Sequence, residues 1–303
     1  MLTLDFALLR PIGLNQTLAA QLAPLSTQFE TGAFVRVIEV QRDRCTVHNG
    51  ASACEAQLLP ALLRDDGPPV VGDWAVLQRD EHGGAWLLAR APAVTVIARR
   101  ANDGRRQPLA ANVDTALLVM GLDHDFNPRR LERYIALVQA CDVAPVVVLT
   151  KRDIGIDCEE RIAQLRARLP VSVPLVAVNG LAAEAADELA PWLSHGQTLV
   201  LLGASGTGKS TLTNTLTAAG QATGGIRAGD GRGRHTTTAR SLHLCPQGAC
   251  IIDTPGLRTW QPDADEDTLA ATFDDIAALA QQCSFRDCRH EAEPGCAVRG
   301  AID

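Results

Sequence analysis

Gly203-Ala204-Ser205-Gly206-Thr207-Gly208-Lys209-Ser210 is the stretch that decides the fold of this 303-residue chain. It follows the apolar run TLVLL and precedes the helix-like run STLTNTLTAA, which is the strand–loop–helix context of a phosphate-binding loop. Glycines let the backbone wind tightly with its N–H groups pointing inward, and the helix N-terminus adds positive potential. We predict that Lys209, as a catalytic cation, reaches the β- and γ-phosphates and that Ser210 binds Mg²⁺. The predicted contacts of the loop and first helical turn are Gly203, Ala204, Ser205, Gly206, Thr207, Gly208, Lys209, Ser210 and Thr211.

A base-reading motif, Thr150-Lys151-Arg152-Asp153, follows the apolar run APVVVL. The carboxylate of Asp153 can accept hydrogen bonds from guanine N1–H and from the exocyclic amine, a pair of donors that adenine lacks. The stem of Lys151 can lie along the base. The motif is weak alone, but beside a phosphate loop it indicates a GTP site in which Thr150, Lys151 and Asp153 contact the nucleotide.

A third motif, Asp253-Thr254-Pro255-Gly256, lies 45 residues after Gly208 and follows the run ACII. Asp253 is expected to hold Mg²⁺ through water, and the N–H of Gly256 to meet the γ-phosphate. Such a string is also a common turn, but its distance from the phosphate loop favours the binding role. Leu257 follows where many GTPases place a water-orienting glutamine, which predicts slow intrinsic hydrolysis.

Two further segments complete the predicted site. The loop that begins Asn179-Gly180 is expected near the guanine oxygen, where GTPases often carry Ser-Ala. A glycine- and arginine-rich segment before Asp253 offers Thr237 and Thr238 to the nucleotide, with Thr237 also on Mg²⁺; His235 is the nearest candidate to position the attacking water. The alternative for this segment is a solvated, flexible loop.

The pattern along the chain predicts several domains. Residues 1–33 show no clear pattern and are expected to form a loose N-terminal arm, whereas residues 34–99 alternate apolar and polar positions in short runs separated by turns. That alternation predicts an OB-type five-stranded β-barrel, with an SH3-like barrel as the alternative. A polar, basic linker is expected at 100–111. Residues 112–262 alternate apolar runs with helical stretches, which predicts an α/β domain with a parallel sheet.

The C-terminal residues 263–303 are expected to form a helical, zinc-binding module. Cys283, Cys288, His290 and Cys296 supply three thiolates and one imidazole, which suits tetrahedral Zn²⁺ and leaves no open position, so the site should be structural. The chain ends seven residues after Cys296, which is compatible with a missing C-terminal piece.

Composition narrows the class of protein. A 46% hydrophobic content and 21% charge are typical of a globular protein, and a net charge of −7 argues against a uniformly basic nucleic-acid coat. No apolar run is long enough to span a membrane, and the amino terminus lacks a secretory pattern. Nine cysteines, an odd number with three clustered, favour a reducing cytosol over a disulfide framework. We therefore expect a cytoplasmic, monomeric protein.

Together these motifs resemble the circularly permuted, ribosome-associated GTPases of the RsgA family, also called YjeQ. The resemblance covers nearly the whole chain and rests on LLGASGTGKSTL, VVVLTKRDI, GRGRHTTTARSL, IIDTPGLRTW and CSFRDCRHEAEPGCAVR. It implies a multi-domain protein with an OB-type barrel, a P-loop GTPase domain whose guanine motif comes first, and a zinc module. It also implies GTP/GDP, Mg²⁺ and one structural Zn²⁺, with hydrolysis stimulated by the 30S subunit late in small-subunit maturation and contacts to 16S rRNA. The sequence departs from the family at Asn179-Gly180 and in its short C-terminus.

Two other functions compete with this interpretation. A transport-type ATPase shares the phosphate loop, but its LSGGQ-like signature and its Asp-Glu pair do not occur in the sequence. A nucleotide-gated RNA-binding scaffold with negligible turnover is favoured by Leu257. Stimulation of hydrolysis by small ribosomal subunits would discriminate the GTPase from the scaffold.

Overall fold

The computed structural model describes residues 2–41, 44–65, 67–100, 106–155, 157–217, 240–253, 279–285, 288 and 294–301. The chain divides into two compact units, Met1–Pro262 and Asp263–Asp303. Within these described ranges, none of the helices has the length and apolar character needed to cross a lipid bilayer.

The first domain is a closed five-stranded barrel. The strands follow the order β1-β2-β3-β5-β4 and β4 returns to β1; β3 and β5 are parallel and every other neighbouring pair is antiparallel. Alternate residues such as Val35, Val37 and Val47 face the barrel core. The predicted five-stranded barrel is confirmed, and its strands run from Ala33 to Arg90. Its elements are β1 (Ala33–Val40), β2 (Arg44–His48), β3 (Ala53–Leu58), α3 (Pro60–Asp65), β4 (Trp74–Arg79) and β5 (Ala85–Arg90).

The N-terminal segment is ordered, so the expectation of a loose arm over residues 1–33 is wrong. It forms α1 (Phe6–Leu9), a 3₁₀ turn (Arg10–Ile12) and α2 (Gln16–Gln28). The side chains of Asp5 and Asn15 cap α1 and α2 by accepting hydrogen bonds from the backbone N–H groups of Leu8 and Leu18. The segment packs apolar residues against the outer face of the barrel, and those residues are Leu9, Ile12, Leu14, Leu18, Leu22 and Leu25.

The predicted linker at 100–111 is also wrong. Residues on both sides of its basic centre form a hairpin, β6 (Val96–Arg100) with β7 (Arg106–Ala111). Leu109 and Ala110 of β7 are buried, and the N–H of Ala111 donates to the carbonyl of Val71 at 3.0 Å. The burial of these apolar residues outweighs the polar composition of the segment.

The second domain of this unit is built on a six-stranded sheet of order β10-β9-β8-β11-β13-β12. The first five strands are parallel and β12 runs antiparallel beside β13, so the predicted parallel α/β sheet is confirmed. All seven residues of β8 are buried, as expected of a strand that is covered on both faces. The elements are β8 (Thr115–Gly121), α4 (Pro128–Gln139), β9 (Ala144–Thr150), α5 (Cys158–Arg168), β10 (Leu175–Ala177), α6 (Glu184–Glu188), β11 (Thr198–Leu202), α7 (Lys209–Thr217), β12 (Ser241–Leu244) and β13 (Cys250–Asp253).

Chain order and spatial order differ in this sheet. β11, which leads into the phosphate loop, lies between β8, which precedes it in the chain, and β13, which follows it. Because all three are parallel, their carboxyl ends lie at one edge, where open α/β sheets bind ligands. β9, which leads into the Thr150–Asp153 motif, is also parallel to β8. The three nucleotide motifs therefore follow strands whose carboxyl ends lie at the same edge, despite their order in the sequence.

The barrel and the α/β sheet are continuous. Glu39 of β1 pairs with Ser241 of β12, which joins the two sheets into eleven strands. A further connection is the side chain of Arg36 in β1, which is 0% exposed. Its guanidinium donates to the carbonyls of Ile12 at 2.6 Å, Asn112 at 3.2 Å and Gly72 at 3.4 Å.

Arg36 therefore links the N-terminal segment, the barrel and the entry to the α/β domain. Burial lowers the pKa of its guanidinium, while the neighbouring Cys250, Asp114 and Asp73 oppose that shift. The guanidinium also lies over the ring of Trp74, 5.5 Å from the centroid. The carbonyl of Gly72 also accepts from the side-chain amide of Asn112 at 3.0 Å, so replacing Arg36 mainly removes the donor to the carbonyls of Ile12 and Asn112, which makes Arg36 costly to replace.

We expect Arg36→Met to lower the free energy of unfolding by about 3 kcal/mol, because methionine fills the space but leaves buried carbonyls unpaired. Urea denaturation followed by tryptophan fluorescence measures the change. Arg44→Met is the matched control, since Arg44 pairs with Glu55 on the exposed barrel surface; it should change stability by no more than about 0.5 kcal/mol. Equal losses in the two variants would contradict this role for Arg36.

Candidate nucleotide-binding site

The phosphate loop connects β11 to α7, and the side chain of Lys209 hydrogen-bonds back to the start of the loop. Lys209 Nζ donates to the carbonyl oxygens of Gly203 at 2.8 Å and Ala204 at 2.6 Å. The hydroxyl of Thr207 donates to the carbonyl of Ala204 at 3.0 Å. These bonds hold the ammonium over the loop, at the N-terminal end of α7, where the helix dipole favours an anion.

Glycine is required at the start of the loop. Gly203 has φ +152°, and a Cβ there would lie 2.2 Å from the carbonyl oxygen of Val119 on β8. A side chain would push the loop away from the sheet. The sequence pattern therefore reflects a close approach of the loop backbone to the neighbouring strand.

Thr150 ties the base-reading motif to the phosphate loop. It is the last residue of β9 and 1% exposed, and its hydroxyl lies 2.5 Å from the carbonyl oxygen of Thr207 and 3.4 Å from that of Met120. A Cβ on Gly208 would meet the Thr150 side chain at 3.4 Å. The structure thus brings the first and second motifs together across β8.

Lys151 and Asp153 form the turn that follows β9. Lys151 has φ +62°, and the N–H of Gly155 donates to its carbonyl at 2.9 Å. Lys151 Nζ forms an ion pair with Asp123 Oδ2 at 2.5 Å. Desolvation raises the pKa of Asp123, but the hydrogen bond from Lys151, the N–H of Asp125 and the charges of Lys151 and His124 together leave the pKa below its usual value. Asp153 is exposed in this turn.

The loop at Asn179-Gly180 lies beside the same residues. The side-chain oxygen of Asn179 accepts from the N–H of Leu181 at 3.0 Å, and Thr215 of α7 donates to the carbonyl of Gly180 at 2.7 Å. A Cβ on Gly180 would lie 3.9 Å from Thr150. The loop is therefore fixed against both α7 and the end of β9.

The predicted Mg²⁺ ligands sit at the same edge of the sheet. Ser210 is exposed in the first turn of α7 and Thr211 is half-buried beside it, while Asp253 is half-buried at the end of β13. β13 is paired with β11 through Val200 and Ile252. A hydroxyl and a carboxylate are the oxygen donors that Mg²⁺ prefers, so these residues fit the ion.

Five of the predicted site residues lie outside the described ranges. They are His235, Thr237, Thr238, Gly256 and His290.

The sequence interpretation missed Asp123 and Thr215. Asp123 comes two residues after the apolar strand β8 ends, at the edge where the other motifs converge. Its position just after a buried strand at that edge could have identified it as a site residue. Thr215 carried no signal of its own, because its role is to contact a loop that lies 35 residues earlier.

The second unit holds a cluster of thiols. The sulfur atoms of Cys283, Cys288 and Cys296 all lie within 4.8 Å of one another, and Cys283 Sγ is 3.9 Å from Cys296 Sγ. Cys296 caps α8 (Ala297–Gly300), its sulfur accepting from the N–H of Arg299 at 3.4 Å. Although desolvation raises the pKa of Cys283, hydrogen bonds from the N–H groups of Val298 and Ala297 and from the other two thiols lower it below its usual value. This donor set fits a thiophilic metal such as Zn²⁺.

Comparison with known proteins gives the family. A model of the RsgA GTPase family matches residues 91–263. The chain is 48% identical over 275 residues to the small ribosomal subunit biogenesis GTPase RsgA of Xylella fastidiosa strain M23, covering 88% of this chain and 81% of that one. It is 46% identical over 276 residues to the protein of the same name from Xanthomonas oryzae pv. oryzae strain MAFF 311018, covering 88% and 75%.

Two solved structures share the fold. YjeQ from Thermotoga maritima superposes with a TM-score of 0.64 at 22% identity, covering 90% of this chain and 91% of that one. YloQ, described as a circularly permuted GTPase, superposes with a TM-score of 0.57 at 25% identity, covering 90% and 88%. Since the family model spans more than half of the chain and the relatives extend over most of it, this chain belongs to the RsgA GTPase family.

Proposed function

We propose that this GTPase acts in the biogenesis of the small ribosomal subunit and that the subunit stimulates its hydrolysis of GTP. The observation that supports the nucleotide assignment is the hydrogen bond between Thr150 and Thr207, because it joins the proposed guanine-reading motif to the phosphate loop. The names of the relatives from Xylella and Xanthomonas support the ribosomal role.

In this proposal Lys209 exchanges partners when nucleotide binds. Its ammonium leaves the carbonyls of Gly203 and Ala204 for the charged β- and γ-phosphate oxygens, where charge-assisted hydrogen bonds are stronger. The amides of 203–208 and the first turn of α7, including Thr211, surround the phosphates. Water attacks the γ-phosphorus, the bond to the bridging oxygen breaks, and the developing negative charge is stabilised by Lys209.

The remaining roles follow from the chemistry of each residue. Mg²⁺, when bound, would neutralise charge on the phosphates; Ser210 and Thr237 would hold it through their hydroxyls and Asp253 through water. Thr238 and Gly256 would contact the γ-phosphate, and His235 would orient water in place of the glutamine that Leu257 replaces. Asn179 and Gly180 would border the guanine oxygen, since Gly180 lies against Thr150.

Asp153 would select guanine through two hydrogen bonds from its carboxylate. In Asp153→Asn we expect GTP affinity to fall by about 10- to 100-fold and affinity for xanthosine triphosphate to rise, because an amide can donate to the xanthine oxygen. Fluorescence titration with labelled nucleotides measures both. Asp157→Asn is the matched control, four residues on and also exposed, in a left-handed conformation that asparagine tolerates. Retention of GTP preference by Asp153→Asn would contradict this assignment.

Small ribosomal subunits should raise the rate of hydrolysis. We expect slow multiple-turnover hydrolysis by the chain alone and a stimulation on the order of tenfold or more with purified small subunits, since a partner can supply the groups that position water. Phosphate release is the measurement, with large subunits and the Lys209→Ala variant as controls. Nucleotide-dependent subunit binding without any stimulation would favour a non-catalytic RNA-binding scaffold instead.

The proposal also includes one structural Zn²⁺ on Cys283, Cys288, Cys296 and His290. The mutual approach of the three thiols supports it, since thiolates are preferred ligands of Zn²⁺. The ion would supply no catalysis, because four protein ligands leave no open position.

We expect about one zinc per chain in the purified protein and its loss in Cys288→Ser, because three protein ligands bind the ion less tightly than four. Atomic absorption after dialysis measures the metal. Cys54→Ser in the barrel is the control and should retain zinc. A wild-type protein without zinc, or a Cys288→Ser variant with a full complement, would rule out this site.

A further inference from the structure

A carboxylate outside the three motifs contacts the base-reading lysine. Asp123 lies in the segment Leu122–Asn127, which we call the β8 loop because it follows that strand. Its Oδ2 lies 2.5 Å from Lys151 Nζ, and both side chains are mostly buried, at 18% and 25% exposed. The pair joins the ends of β8 and β9, which are neighbours in the sheet.

We propose that Asp123 is a positioning residue that fixes the stem of Lys151 along the nucleotide base. This rests on the proposed guanine role of the Thr150–Asp153 motif. Lysine carries four flexible carbons, and a stem that samples many rotamers makes a poor surface for a purine ring. An anchored ammonium leaves the stem in one conformation before the nucleotide arrives, so less ordering is needed on binding.

The β8 loop is itself held in place, so that Asp123 can serve as an anchor. Arg161 of α5 donates to the carbonyls of Leu122 at 2.8 Å and Asp123 at 2.6 Å, and its guanidinium lies 5.1 Å from the centroid of the Phe126 ring. The second carboxylate oxygen of Asp123 accepts from the N–H of Asp125 at 3.1 Å. Thus one oxygen of Asp123 orders its own loop and the other faces Lys151.

The strand end leaves room for this pair. A Cβ on Gly121 would lie 2.5 Å from Asp123 Oδ1 and 3.4 Å from Lys151 Cδ. Glycine at this position lets the carboxylate and the lysine stem meet above the end of β8. The backbone of Lys151 lies in the left-handed region at φ +62°, and this conformation sets the direction in which its side chain leaves the turn.

The test compares Asp123→Asn with the wild-type chain by titration with labelled GTP and GDP. Asparagine keeps an oxygen for the N–H of Asp125 and removes the charge that faces Lys151. We expect an affinity loss of about fivefold for both nucleotides and a matching rise in their dissociation rates, as for a partly buried charged pair. Asp123→Glu should restore at least part of the affinity. Wild-type affinity in Asp123→Asn would overturn the proposal.

Two further measurements separate positioning from a general effect on the site. Tripolyphosphate has no base, so calorimetry should give the same affinity for it in Asp123→Asn as in wild type; a parallel loss would overturn the proposal. In Lys151→Met, which keeps an apolar stem without the ammonium, adding Asp123→Asn should cause no further loss of GTP affinity. Independent, additive losses in the double variant would also count against it.

The matched control is Glu159→Gln, which removes a charge paired with Arg152 of the same motif. That pair is 3.4 Å apart and its side chains are 51% and 80% exposed, so GTP affinity should stay within about twofold of wild type. The proposed function is checked in the same titrations. A wild-type chain that does not prefer GTP to ATP would contradict the guanine assignment, whereas normal preference with an inert Asp123→Asn contradicts only this inference.

Discussion

The hydrogen bond from the Thr150 hydroxyl to the Thr207 carbonyl is the interaction on which the nucleotide site depends. It is buried, 2.5 Å long, and joins residues 57 apart in the sequence. Around it lie Gly208 of the phosphate loop and Gly180 of the following loop. A threonine satisfies this buried carbonyl and packs its methyl group beside the glycines, so it joins the Thr150–Asp153 segment directly to the phosphate loop.

The transposed order of the motifs is tolerated because a parallel sheet is defined by its neighbours and not by its connections. β11 has β8 on one side and β13 on the other, and all three end at one edge. Reordering the connections leaves that edge, and the helix dipole of α7, where they were. The chain enters the sheet from the barrel at the opposite edge, where the strands begin. There the buried guanidinium of Arg36 donates to three carbonyls and holds the junction together.

Sequence interpretation succeeded where periodicity and local chemistry agree. Apolar and polar residues alternate along the barrel strands, and the strands of the α/β domain are continuous apolar runs. The glycines of the phosphate loop are required by the conformation of the loop itself. The sequence-based predictions for residues 1–33 and 100–111 were wrong. Leu18, Leu22 and Leu25 have helical spacing, but the flanking polar residues and Pro24 hid it. In β7 the buried Leu109 and Ala110 were masked by the arginines that precede them.

By itself the sequence determined the fold class, the three nucleotide motifs and the thiol cluster, because each is encoded in residues close together in the chain. Only the tertiary structure decided that Thr150 contacts the phosphate loop, that Asp123 pairs with Lys151, and that Arg36 joins the barrel to the sheet. Such contacts join residues that are tens of positions apart, and no local pattern specifies which side chain will meet which carbonyl. Packing of the sheet makes that choice.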